Sequence, residues 1–424
     1  MEFWTVVGLL TVGIVIFRFT DELGKSLPIL ELMLLVAGLQ WIIGPIIEYA
    51  NPSMNLRYFM YVDKTTYMSF VVPGYMLFAF TILLRIKKSK KYYRNLDDLQ
   101  YYSKIGLFLV IIGFVSDIAL GFLGFFGYII ANFKYVGAII LFFSQNKKLR
   151  VLFYLVIILL LYRSIYSGMF HDLILWSVLY YMFWAYRYKP SIKTKLVSYS
   201  IALLLLISLQ SIKAAYRAEV WRGNSSNNIE LFTSLMYNNI VGQEDLVNGE
   251  YGSENNNVRL NQGWIISAIM THIPSNVNYL GGSTVITAFE SALLPRVLAP
   301  DKVKAGGRKN FKRFTGLEIG ESTSMGISII GEAYGNFGVY GGILFMGIWA
   351  WLILFVWRLL IKKSTNQILI YAFLPLVFLQ VIKAETELAV VLNHLVKTGV
   401  VVLVLLIIYK IFISVYKKET RIAF

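Results

Sequence analysis

Long apolar runs recur along this chain of 424 residues and constrain its fold more than any other feature. Several of them reach about 17 residues or more, the length that a helix needs to cross the hydrocarbon core of a bilayer. The chain is 57% hydrophobic and only 15% charged, whereas soluble domains carry about 25% charged residues. The sequence therefore predicts an all-α polytopic membrane protein, because a membrane β-barrel would show short alternating segments instead.

We place eleven transmembrane helices along the chain. The first has no basic region before it and no cleavage pattern after it, so we expect it to be retained. The spans lie near 2–17, 29–49, 68–86, 104–119, 122–144, 149–167, 170–187, 195–212, 336–360, 367–382 and 385–412. This divides the chain into 1–212 with spans 1–8, a long loop at 213–335 with short helices, and 336–424 with spans 9–11 and a tail.

Lysine and arginine gather in alternate short loops. The loops after spans 1, 3, 5, 7 and 9 and the C-terminal tail hold most of them. Because cytoplasmic loops carry the excess of basic residues, the C-terminus is predicted to be cytoplasmic and the long loop external. This bias also accounts for most of the net charge of +16, so we expect no nucleic-acid partner. A loop as long as 213–335 is usually functional.

A basic segment near the end of the long loop is the first candidate site. Between residues 296 and 313 the chain carries one acid and seven bases, which are Arg296, Lys302, Lys304, Arg308, Lys309, Lys312 and Arg313. Arginine binds phosphate oxygens through two parallel hydrogen bonds, and lysine adds a point charge. On the outer face the segment suits a lipid diphosphate, although general attraction to anionic headgroups would use the same charges.

Two arginines outside this segment are further candidates. Arg217 shares a helix face with Lys213, but it could instead snorkel to the interface beside Trp221. Arg259 precedes an apolar helix whose N-terminus could hold an anion, or it pairs with an acid such as Glu254. We assign Arg259 and Arg296 to catalysis, and Arg217, Lys302, Arg308 and Arg313 to substrate binding.

The start of span 9 brings together a carboxylate, a phenol and an amide. Glu332 is a candidate catalytic residue because it could bind a sugar hydroxyl or accept its proton. Tyr334 and Asn336 follow closely and are assigned to substrate binding. An acid in the first turn of a helix is also favoured by the helix dipole, so a structural role for Glu332 stays open.

Ionisable residues in and just before the last predicted span form a third candidate group. Glu387 and His394 are seven residues apart and Lys383 lies four before Glu387, a spacing that places all three on one helix face. This face could line the same cavity as the long loop, with His394 contacting substrate. A structural network of ion pairs is the alternative, since charges within spans are usually paired.

The sequence gives little indication of a metal site. The chain has no cysteine and only three histidines, which argues against a zinc enzyme. The long loop lacks an Asp-x-Asp pair, which commonly holds a divalent ion beside a diphosphate. Arginines could stabilise the same leaving group, so we expect no metal and no cofactor.

Three motifs resemble those of a known family. Residues 294–302, Leu-Pro-Arg-Val-Leu-Ala-Pro-Asp-Lys, resemble a PR-x-L-x-P-x-K pattern, and residues 331–338 resemble a GE-x-Y-x-N-F-G pattern. Residues 259–264 resemble a third, looser pattern. By these motifs, which cover about 259 to 342, the chain resembles the Wzy family of oligosaccharide repeat-unit (O-antigen) polymerases. One departure is Val303, which stands where a proline often follows the lysine.

The resemblance implies a metal-independent membrane glycosyltransferase with a GT-C-like fold. Its substrates would be undecaprenyl-diphosphate-linked oligosaccharides, polymerised into surface polysaccharide such as the O-antigen of lipopolysaccharide. The enzyme would lie in the bacterial inner membrane with its active site facing the periplasm. Membrane lipids, a chain-length regulator and a flippase would be its other partners.

Two rival functions stay open. An O-antigen ligase would use the same lipid-linked donor but pass the glycan to lipid A core. A flippase or other transporter of lipid-linked sugars would have short loops and a charged central cavity, and the length of the 213–335 loop argues against it.

Overall fold

The computed structural model describes residues 2–52, 58–86, 94–223, 227–241, 260–294, 307–321 and 323–422, with side chains described to Lys410. Within these ranges the chain is helical and forms no β-strand. The helices are α1 (Phe3–Glu22), α2 (Ile29–Gly38), α3 (Gly44–Ala50), α4 (Lys64–Ile86), α5 (Ser103–Ala119), α6 (Phe125–Ala131), α7 (Phe133–Phe142), α8 (Lys147–Ser167), α9 (His171–Tyr188), α10 (Ile192–Arg222), α11 (Asn228–Val241), α12 (Gly263–His272), α13 (Ser283–Leu293), α14 (Arg308–Thr315), α15 (Ile329–Ser364), α16 (Ile370–Val377), α17 (Leu379–Ile382) and α18 (Leu388–Ile422).

Nine helical segments in the described part of the chain are long and apolar enough to cross a membrane. They are Phe3–Glu22, Ile29–Ala50, Lys64–Ile86, Leu96–Ala119, Phe125–Phe142, Lys147–Ser167, Ile192–Arg222, Ile329–Ser364 and Leu388–Lys410. The prediction of a polytopic all-α membrane protein is therefore confirmed in its general form.

Two of the eleven predicted spans are not among these nine segments. Helix α9 (His171–Tyr188) corresponds to the span predicted at 170–187, but its many tyrosines and tryptophans make it less apolar than the others. The range 367–382 is divided between α16 and α17, because the helix that contains Pro375 ends at Val377. A count of eleven and a GT-C-like fold stay predictions.

Glycines allow the central helices to approach closely. At the contact between α4 and α15, a Cβ atom on Gly342 would lie 2.9 Å from the Phe70 ring. At the contact between α5 and α7, a Cβ atom on Gly137 would lie 2.4 Å from the carbonyl oxygen of Gly106. Small residues at such crossings let backbones pack tightly, which is the main attraction between helices in a bilayer.

Helix α15 is broken at Gly338, whose backbone has φ 68° and ψ −161°. A Cβ atom on Gly342 would lie 3.3 Å from the carbonyl group of Ala333, although a straight helix separates residues nine apart by about 13 Å. Residues 329–337, which we call the short arm, are therefore folded back against residues 339–364, the long arm. The span predicted at 336–360 corresponds closely to the long arm, and the short arm before it was not predicted as a separate helix.

Helices α8, α10 and α11 form the periphery. A small cluster of buried residues joins them, with Phe170, Tyr216 and Leu235 at its centre. The residues Leu203, Leu204 and Leu205 of α10 are exposed, as expected of a helix whose outer face contacts lipid.

Candidate functional site

A polar cluster of Thr284, Glu332 and Asn336 lies where α13 meets the short arm of α15. Glu332 is only 2% exposed. Its Oε1 accepts a hydrogen bond from Thr284 Oγ1 at 2.7 Å, and its Oε2 accepts one from the backbone N–H of Leu388 at 2.8 Å. Because Leu388 is the first residue of α18, this one carboxylate joins α13, α15 and α18.

Asn336 completes the polar cluster. Its Nδ2 donates to Thr284 Oγ1 at 2.8 Å and to the carbonyl oxygen of Glu332 at 2.8 Å. Its Oδ1 accepts a hydrogen bond from the backbone N–H of Gly282 at 3.1 Å. Because buried polar groups need such partners, Asn336 determines how the short arm packs against the segment before α13.

The turn of residues 383–387 connects α17 to α18 and carries three ionisable side chains, those of Lys383, Glu385 and Glu387. Neighbouring segments hold its backbone in place. Trp41 Nε1 donates to the carbonyl oxygen of Ala384 at 3.2 Å. At Gly326 a Cβ atom would lie 2.1 Å from the carbonyl oxygen of Glu385, so only glycine allows this close approach.

A cavity of about 210 Å³, which we call the carboxylate cavity, opens at this turn. Its lining includes Lys383, Glu385 and Glu387 from the turn, together with Gly307 and Met325 from the long segment between α10 and α15. Gly307 directly follows the basic residues of 295–306, which lie outside the described residues. Two of the three residues that the sequence assigned to a cavity with the long loop, Lys383 and Glu387, therefore line this one, whereas His394 is not part of its lining.

Helix α14 links the basic segment to the carboxylate cavity. Its Asn310 donates through Nδ2 to Glu387 Oε2 at 2.5 Å, and its Phe311 and Phe314 are fully buried. Arg308 and Arg313 lie on its exposed face. Burial of the two rings anchors the helix, so its exposed basic residues are held in fixed positions near the cavity.

Charges from a neighbouring helix also act on the turn. Burial lowers the pKa of Lys383, and the nearby Asp172 and Glu385 oppose this shift. His171, at the start of α9, lies within electrostatic range of Lys383 and Glu385. The sequence analysis did not single out His171 and Asp172. Their position as adjacent ionisable residues at the end of a predicted span could have indicated them.

Three predicted site residues, Arg259, Arg296 and Lys302, lie outside the described residues. Two others occupy surface positions. Arg308 Nη1 lies 3.5 Å from Glu321 Oε1, and its side chain is 45% exposed. The exposed Arg313 is at the C-terminal end of α14. Their assignment to substrate binding stays a prediction.

Arg217 is held at the periphery. Its Nε donates to the carbonyl oxygen of Gly168 at 2.7 Å, and its guanidinium lies 4.9 Å from the centre of the Trp221 ring. These contacts match the interfacial role that the sequence left open for Arg217, and its substrate-binding role stays a prediction.

Tyr334 is packed among other aromatic rings. It is 6% exposed, and its ring centroid lies 5.0 Å from that of Phe70 and 6.0 Å from that of Tyr279. It therefore contributes to the packing of the short arm, and a role in substrate binding is still a prediction.

His394 is fully buried, and its Nε2 lies 2.8 Å from the carbonyl oxygen of Leu376. The single helix face predicted for Lys383, Glu387 and His394 is wrong. Lys383 and Glu387 precede the first residue of α18 and belong to the turn. His394 thus contacts the broken helix before the turn, and its contact with substrate stays a prediction.

A second cavity, of about 490 Å³, lies beside α14, and we call it the aromatic cavity. Tyr58 and Tyr61 line it from the segment before α4, whereas Trp264 of α12 and Phe311 of α14 line it from the long segment. The ring centroids of Tyr58 and Trp264 are 5.2 Å apart in an edge-to-face arrangement. Sequence reasoning missed this cavity, because its rings are far apart along the chain.

The fold and these cavities define a polytopic helical membrane protein with polar sites built from the long segment between α10 and α15. The chain belongs to the family of the domain of unknown function DUF8712, whose model matches residues 61–355. The match includes α4, α14 and the polar cluster but ends before the 383–387 turn. No curated protein and no solved structure matches the chain.

Proposed function

We propose that the chain is a membrane glycosyltransferase that polymerises undecaprenyl-diphosphate-linked oligosaccharide repeat units. The observation that carries this proposal is the carboxylate cavity, in which Glu385, Glu387 and Lys383 lie beside Gly307, the residue that follows the 295–306 segment. Sugar transfer from a lipid diphosphate needs a base for the acceptor hydroxyl and cations for the departing diphosphate. The carboxylates line this cavity, and the basic residues of 295–306 directly precede Gly307 in the sequence.

The reaction assigns a role to each of these groups. The acceptor hydroxyl oxygen bonds to the anomeric carbon of the donor, and the bond from that carbon to the diphosphate oxygen breaks. The diphosphate leaves with the electron pair, stabilised by Arg296 and Lys302. The hydroxyl proton passes to a carboxylate, for which Glu387 is our candidate because it lines the cavity.

Glu332 has a different role in this proposal from the one expected from sequence. Both of its oxygens accept hydrogen bonds, one from Thr284 and one from the N–H of Leu388. Leu388 is the next residue after Glu387, so Glu332 positions the candidate base without contacting substrate. The two motif residues Glu332 and Asn336 thereby position the site without contacting the substrate.

The proposed setting is the bacterial inner membrane, with the cavity facing the periplasm. It is supported by the basic residues of alternate short loops, which favour a cytoplasmic C-terminus. A donor that has been moved to the outer leaflet could then place its diphosphate at α14 and its lipid tail in the bilayer.

The direct test is chain extension by purified protein with lipid-linked repeat units. We expect products of increasing length, and we expect extension to survive excess EDTA because the cations assigned to the diphosphate are side chains. Loss of activity in EDTA that magnesium restores would contradict the metal-independent part. Transfer to lipid A core without chain growth would show a ligase, and movement of donor across vesicles without new bonds would show a transporter.

A further inference from the structure

The aromatic cavity carries polar groups at its rim as well as rings in its walls. Glu318 and Thr323 are part of its lining. Lys312 of α14 donates a hydrogen bond to Glu318 and lowers the pKa of that carboxyl group. The carboxylate therefore stays ionised near neutral pH and can accept hydrogen bonds from hydroxyl groups.

The size and chemistry of the cavity fit a carbohydrate. Its volume of about 490 Å³ falls in the range of about 300–1,000 Å³ that is typical of small-molecule sites. Tyrosine and tryptophan present an apolar ring with a polar tip, which matches the apolar face and the hydroxyl rim of a sugar. A lipid tail offers no hydroxyl group that the Glu318 carboxylate could accept from, whereas a sugar does.

The aromatic cavity adjoins the carboxylate cavity. Met325 lines both of them. Adjacent residues of α14 reach into each, because Phe311 lines the aromatic cavity and Asn310 bonds to Glu387. A chain of sugars could therefore occupy both cavities at once, with one ring in each.

We propose that the aromatic cavity is a binding site for a sugar ring of the acceptor glycan, held between the rings of Tyr61 and Trp264. This inference rests on the proposed function, since it takes the acceptor to be an oligosaccharide. It adds a second site, separate from the residues that act on the bond being formed. The site fixes the acceptor so that its terminal hydroxyl reaches Glu387.

The experiment measures binding of a free oligosaccharide to the full-length protein in detergent. The probe is the repeat-unit oligosaccharide released from its lipid carrier by mild acid, observed by saturation-transfer NMR. Tyr61→Ala removes a ring and leaves the backbone bonds of Tyr61 to Ser267 and Thr271 in place. We expect it to weaken binding about tenfold, whereas Tyr61→Phe should bind like the unaltered protein.

The matched control is Tyr237→Ala, which removes a 63%-exposed tyrosine of α11 from the same long segment. In extension assays Tyr61→Ala should raise the KM for acceptor and leave kcat close to that of the control. Equal binding by Tyr61→Ala and Tyr237→Ala, or no binding by the unaltered protein, overturns the inference.

The two proposals fail in distinguishable ways. If the unaltered protein extends chains but binding does not depend on Tyr61, the polymerase proposal stands and the acceptor site is wrong. If the oligosaccharide binds in a Tyr61-dependent manner but no extension occurs, the sugar site stands and the polymerase proposal is wrong.

Discussion

The polar cluster and the carboxylate cavity each contain a glutamate that is 2% exposed, yet the two carboxylates are placed for different tasks. Glu332 accepts hydrogen bonds on both oxygens from groups fixed in α13 and α18. Glu387 accepts one from Asn310 and lines a cavity with Lys383. Two equally buried carboxylates can therefore have different roles. The difference is that Glu387 lines a cavity that a substrate can enter, whereas Glu332 does not.

The largest expected effect is on catalysis at the cavity. Glu387→Gln keeps the shape of the side chain and an acceptor for Asn310, but it removes the base. General-base catalysis contributes about 10²–10⁴ in rate, so we expect extension to slow at least 100-fold with little loss of folded protein. The extension rate of purified, folded variants is the measurement.

The matched control for this change is Glu290→Gln, which alters an exposed glutamate of α13 in the same long segment. It should extend chains at the original rate. A normal extension rate for Glu387→Gln would show that another carboxylate accepts the proton. Glu387 and Glu332 would then not differ in the way proposed.

The next effect is on stability at the polar cluster. Glu332→Ala leaves the hydroxyl of Thr284 and the N–H of Leu388 without their acceptor. A buried group left unsatisfied costs about 1–3 kcal/mol, so we expect a loss of about 3 kcal/mol in the free energy of unfolding. Thermal unfolding in detergent measures it, with Glu290→Ala as the stable reference. Full stability combined with lost extension would instead make Glu332 catalytic.

A smaller effect is expected where α14 meets the turn. Asn310→Ala removes the hydrogen bond to Glu387, and bonds to charged groups are worth about 1.5–3 kcal/mol. We expect a loss of about 1.5 kcal/mol in stability and about tenfold in extension rate. The exposed neighbour Lys309 provides the control, since Lys309→Ala should change stability by less than about 0.5 kcal/mol. Identical behaviour of the two variants would show that this link does not support the cavity.

The smallest effect is a dependence of stability on pH. Burial lowers the pKa of Lys383 from its ordinary value of 10.5. Between the lowered pKa and 10.5 the unfolded chain binds more protons at this residue, so its contribution to stability rises as the pH rises through that window. Unfolding midpoints should show this slope, and Lys383→Met should remove it. An unchanged slope in the variant would show that the turn does not desolvate Lys383.

Much of the membrane architecture was predictable from the sequence because apolar length alone determines it. The spans predicted at 68–86 and 149–167 correspond closely to α4 and α8. The range 367–382 failed as one continuous helix, since an internal proline in an apolar run fits either a kink or a break. The glycines near Gly338 were equally ambiguous, because they fit close packing as well as a reversal of the helix.

The sites were less predictable, because they depend on residues brought together from distant positions. Glu332 was a candidate from its motif, but its partners Thr284 and Leu388 are 48 and 56 residues away. No local pattern indicates that a carboxylate will bond to the first N–H of another helix. Likewise, the spacing of Lys383 and Glu387 suggested one helix face, whereas the backbone forms a turn there.

The reversal at Gly338 has a consequence for how the family can vary in sequence. Its φ of 68° disfavours any residue with a side chain, and a Cβ atom there would lie 3.1 Å from the Tyr279 ring. The short arm reaches Leu388 only through this reversal. Relatives that replace other residues of the long segment are therefore expected to keep glycine at this position, and a relative that lacks it should also lack the glutamate at the position of Glu332.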